Sequence, residues 1–89
     1  MEKTIELKTM EPTALLGVAD AHIKLIESAI PVTIIARGET IKIQGAEPDV
    51  GHAHEVLHEM METLSGKGSL TVRDVQNLIA LVTSENGSK

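Results

Sequence analysis

Three short stretches hold residues whose type and spacing could do chemistry. The first is His54-Glu55-Val56-Leu57-His58, which fits HExxH. On a helix that spacing sets two imidazoles one turn apart, able to grip zinc with Glu55 as general base. A zinc peptidase also needs a third protein ligand and a cleft. The downstream acids Asp74 and Glu85 follow with no Met-turn and no glycine-spaced histidine, so a metal site on His54 and His58 is disfavoured. The two histidines flank the stripe of Val50, Leu57 and Met61 and are expected as boundary or exposed residues titrating near pH 6.5. His22 and His52 have no ligand spacing with each other.

The second stretch, Gly66-Lys67-Gly68-Ser69, has a lysine among glycines but places Met61 where GxxxxGK[ST] needs its first glycine. A helical pattern precedes it where a phosphate loop needs a strand, so it is expected to link two helices. The third is Gly17-Val18-Ala19-Asp20, a glycine turn ahead of an amphipathic stretch. Main-chain amides at such a turn can meet a phosphate, with Lys24, Arg37 and Lys42 as further backbone partners. Asp20 opposes this, because as an N-cap its carboxylate occupies those amides and repels an anion. Ser28, Ser65 and Ser69 have no histidine near them in sequence, and no pair of acids has a spacing that recommends catalysis. No enzyme is expected in these residues, and no cofactor.

The elements that position these groups follow from periodicity. Ile5 and Leu7 alternate with Thr4, Glu6 and Lys8 as in a half-buried strand, which Glu11-Pro12 stops. Pro12 suits the first turn of a short helix through Leu16. A second helix carries Ile23, Ile26, Leu25 and Ile30 and ends before Pro31. Val32 to Ala36 and Thr40 to Gln44 are rich in β-branched residues, with Arg37-Gly38-Glu39 as a hairpin turn between them. Gly45 to Pro48 opens a long helix with the stripe Val50, Ala53, Leu57, Met61 and Leu64, closed by Ser65 to Gly68. Val56, Met60 and Met61 would widen that stripe into a docking face, although methionines more often fill core gaps. A last helix starts at Thr71, with Thr71 and Asp74 as a near capping box, Leu70 stapled onto Val75, and Val72, Val75, Leu78, Ile79 and Val82 as its buried face. Residues 1–83 form one domain and 84–89 a polar tail.

Composition limits the possible partners. With 89 residues, a net charge of −5 and no Phe, Tyr or Trp, the chain can neither neutralise many phosphates nor stack bases on aromatic rings. Cysteine is absent, which excludes disulfides and thiolate metal sites. No long apolar run or leader pattern is evident, so a cytoplasmic protein without membrane contact is expected.

A glycine turn, helix and tight hairpin in the order LLGVADAHIKLIES, VTIIARGETIKIQG is similar to the heart of a KH nucleic-acid-binding unit. With HAHEVLHEMMETLSGKG and LTVRDVQNLIALV following, the chain from Ile5 to Val82 resembles the N-terminal region of PhoH-like, phosphate-starvation-inducible ATPases. The matching pattern is Leu16-Gly17, Asp20, Ile23, Ile26-Glu27, Arg37-Gly38, Gly45, Val56-Leu57 and Asp74-Val75. The resemblance implies an α+β, KH-like fold of type I order β-α-α-β-β-α. Its three-stranded antiparallel sheet would carry helices on one face, with an extra C-terminal helix. It implies a non-catalytic auxiliary domain that binds single-stranded RNA or positions substrate for a P-loop ATPase domain beyond Lys89, to which ATP and magnesium would belong. It places the RNA contacts at Gly17, Val18, Ala19, Asp20, Lys24, Arg37 and Lys42, in a groove between the Ile23/Ile26 helix and the hairpin. The alternative from the charge balance is a protein-interaction or homo-oligomerisation module that binds no RNA.

Overall fold

Two β-branched runs separated by a glycine fold back on each other, and the rest of the sheet is built on them. The computed structural model describes residues 1–6 and 21–87, with side chains described as far as Thr83. These form strand β1 (Glu2–Glu6), helix α1 (Ala21–Ala29), strands β2 (Val32–Arg37) and β3 (Thr40–Gly45), and helices α2 (Asp49–Lys67) and α3 (Val72–Gly87). Leu7, Lys8, the short helix expected from Pro12 to Leu16 and the turn from Gly17 to Asp20 lie outside the described residues.

Gly38 and Glu39 alone join β2 to β3, and Gly38 has φ +57°, the left-handed value that opens the primed turns matching strand twist. The strand order is β1-β3-β2, antiparallel throughout, so β3 is central and β1 and β2 are both edges. The architecture is thus α+β, with a three-stranded antiparallel sheet and three helices among the described residues. Period-two alternation turns Ile34, Ile41 and Ile43 toward the helices, where all three are buried. Gly45 lies so close to Val32 and Val50 that a Cβ there would stand 3.2 Å from Val32 Cγ1 and 3.4 Å from Val50 Cγ2. A side chain at that point would press first on Val32, which would have to give by a few tenths of an ångström.

Helix α2 buries Val50, Ala53, Val56, Leu57 and Met60 completely, while Met61 and Leu64 pack only at the margin of the core. The buried arc is therefore turned from the expected stripe toward Val56 and Met60, because α2 meets both the sheet and α3. Those two residues are core and contribute nothing to an outer docking face. Gly68, at φ +80°, ends the helix and donates its N–H to the Leu64 carbonyl at 2.8 Å.

Thr71 and Asp74 form a reciprocal cap. The Thr71 N–H donates to Asp74 Oδ2 at 3.0 Å, and the Asp74 N–H donates to Thr71 Oγ1 at 3.1 Å. Val75, Ile79 and Val82 are buried as expected of α3, but Val72 is exposed. It is the first residue of α3, at the very end of that helix's buried arc. The helix runs on through Ser84 to Gly87, residues expected to belong to a tail. No helix among the described residues is long and apolar enough to cross a membrane.

Candidate nucleic-acid interface

Helix α1 packs on β2 and α3, its apolar arc being Ile23, Ile26 and Ile30. Glu27 belongs to the same arc, four residues after Ile23 and three before Ile30. Its partly buried carboxylate accepts a hydrogen bond from the Ile34 N–H at 2.8 Å. Ile34 pairs with Ile43 on the β3 side, so this amide lies on the outer edge of β2, which no strand among the described residues pairs with. The neighbouring outward amide, that of Val32, donates to the Ile30 carbonyl at 2.7 Å. A helix is thus laid along an edge strand, and a carboxylate stands at their junction.

The three cations expected to serve one groove are divided. Lys24 is exposed on α1, in the helix layer. Arg37 and Lys42 both project from the opposite face of the sheet, which no helix among the described residues covers, as their alternation with Ile34, Ile41 and Ile43 requires. There they line a shallow depression of about 340 Å³ with Ile35 and Thr40. Lys42 Nζ lies 3.5 Å from Glu2 Oε2, which also accepts from Gln44 Nε2 at 3.0 Å. The Gln44 hydrogen bond and the Lys42 charge hold the Glu2 carboxyl below the usual carboxylate range. Neither Lys24 nor Arg37 has an ion-pair partner among the described residues. Gly17, Val18, Ala19 and Asp20 lie outside those residues.

No protein-family model and no curated protein matches this chain.

Of the HExxH residues, Val56 and Leu57 are core, while His54, Glu55 and His58 lie off the buried arc of α2. His54 is half-buried, and burial, then the charge of Lys3 and then that of His58, lower its pKa from the ordinary histidine value. His58 is exposed and its Nε2 stands 3.3 Å from Glu62 Oε2 one turn on. Glu55 instead lines a depression of about 400 Å³ between β1 and the start of α2, with Lys3, Glu47 and His52. Among the described residues no three His, Cys, Asp or Glu side chains gather as a metal-ligand set. Lys67 is committed to Asp74, with Nζ 3.1 Å from both carboxylate oxygens, and Gly68 is spent on the helix cap.

In the sequence Glu27 stands out only beside Ile26 in the family-like pattern, with no role attached. Its signal was available: an acid set within the apolar arc of a helix must find a partner where that arc packs. His22, also left unassigned, is buried on α1.

Proposed function

We propose that this chain is a KH-like auxiliary module of the kind that precedes the ATPase domain in PhoH-like proteins. It is non-catalytic in itself and binds single-stranded RNA, or positions a substrate for such a domain. The observation that carries this reading is the α1 helix laid along the outer edge of β2, in a sheet ordered β1-β3-β2. An edge strand beside a helix makes a groove in which an unstacked base can meet main-chain groups, and a single-stranded nucleic acid is the ligand that offers such bases. Lys24 is exposed on α1, three residues before Glu27, whereas Arg37 and Lys42 project from the opposite face of the sheet.

The test is an amide NMR titration of the chain with a short mixed single-stranded RNA at low salt, repeated with added salt. Saturable shifts from Lys24 through Ile34 that weaken with salt are expected. Lys24→Ala should weaken binding and reduce the salt dependence by about one phosphate contact, while Lys42→Ala should change neither. Absence of shifts at high RNA concentration would overturn the reading.

A second reading, a protein-interaction or oligomerisation module, is favoured by the ion pair of Lys42 with Glu2 and by the net charge of −5. It predicts no response to RNA and a sedimentation coefficient that rises with protein concentration.

A further inference from the structure

Where α1 meets the edge of β2, the described residues place a partly buried carboxylate, that of Glu27. Along β2 the N–H and C=O of Ile34 both point to the outer side, since this residue forms a non-hydrogen-bonded pair with Ile43. The N–H is already given to Glu27 Oε2 at 2.8 Å. What the edge then offers an incoming group is acceptors: the remaining lone pairs of the carboxylate and the Ile34 carbonyl. A carboxylate has about four lone-pair sites, so one bond from an amide leaves room for a bidentate contact.

We propose that Glu27 sets base specificity in this groove and selects guanine; the inference rests on the nucleic-acid reading above. Guanine presents two adjacent donors, N1–H and the N2 amine, that match both oxygens of a carboxylate. Adenine sets its N1 lone pair against the negative charge, cytosine its N3, and uracil flanks a single N–H with two carbonyls. Each of these leaves an acceptor facing an acceptor in a partly buried place, where an unmatched polar contact is costly. The Ile34 amide fixes the carboxylate in position before the base arrives, so little side-chain freedom is lost on binding.

The test compares the five-nucleotide RNAs UUGUU, UUAUU, UUCUU and UUUUU, together with UUIUU, in which inosine lacks the N2 amine. Amide NMR titrations of the whole chain supply the affinities. UUGUU should bind about tenfold or more tighter than the adenine and uracil forms, as a bidentate base contact provides, and inosine should lose most of that advantage. Glu27→Gln keeps an oxygen for the Ile34 N–H but presents an amine beside it, so it should abolish the guanine preference and improve adenine. Equal binding of all five RNAs, or a guanine preference unchanged in Glu27→Gln, would overturn the proposal and leave the nucleic-acid reading standing. Should the variant fail to fold, the inosine comparison decides alone. Binding of none of the five would remove the nucleic-acid reading and this inference together.

Discussion

Burial on the flank of α2, followed by the charges of Lys3 and His58, disfavours the imidazolium of His54, so this side chain gives up its proton below the usual histidine range. The unfolded chain, where His54 is ordinary, then binds more protons between the two pKa values, and stability rises with pH across that interval. The contribution is lost as pH falls from the ordinary value of 6.5 through the folded one, and nothing changes above it. We predict that an imidazole NMR titration places His54 below 6.5 and that Lys3→Gln raises it only partway, since burial is the larger cause. His54→Gln should flatten the fall in urea midpoint on acidification over the same range. An ordinary titration of His54 would contradict the packing described for α2. Lys42 shows the opposite situation, an exposed cation already matched by Glu2, and exposed pairs of this kind contribute little to stability.

At the scale of elements, the start of α3 depends on two residues that satisfy each other. Removing the Thr71 hydroxyl leaves the Asp74 N–H without its partner, and a lost N-cap costs about 1 kcal/mol. Thr71→Ala should lower stability by about that amount in urea denaturation, while Thr71→Ser, an equally good cap, should retain most of it. A negligible loss in the alanine variant would mean that the box does not hold the helix start. The Asp74 carboxyl is held low by the Thr71 amide first and by Lys67 second. The cap is therefore strongest above the ordinary aspartate range and is lost as pH falls through the folded pKa. This element was legible in the sequence because a capping box is local, and so was the hairpin, where Gly38 stands between two β-branched runs. What did not show was which side of a helix meets two layers at once. That is why Met60 rather than Met61 fills the core, and why Val72, at the first position of α3, stays exposed.

Across the whole molecule, the candidate site was legible in kind but not in arrangement. Lys24, Arg37 and Lys42 are cations in any reading of the chain, but strand order and register decide that the latter two share a face that Lys24 does not. Neither property is encoded between neighbours in sequence. The same strand order has a kinetic consequence. Because β3 lies between the other two strands, Ala36 reaches Ile41 across a two-residue turn, whereas Ile5 reaches the same Ile41 only after α1 and the hairpin have been traversed. Closing the longer loop costs more chain entropy, so β1 joins a hairpin that already exists, and joins it late. In stopped-flow experiments Ile5→Ala should mainly speed unfolding and Gly38→Val mainly slow refolding; the reverse pattern would show that the sheet begins at β1. The first strand in the chain is thus the last to be laid down, and its edge is where the sheet should first come apart.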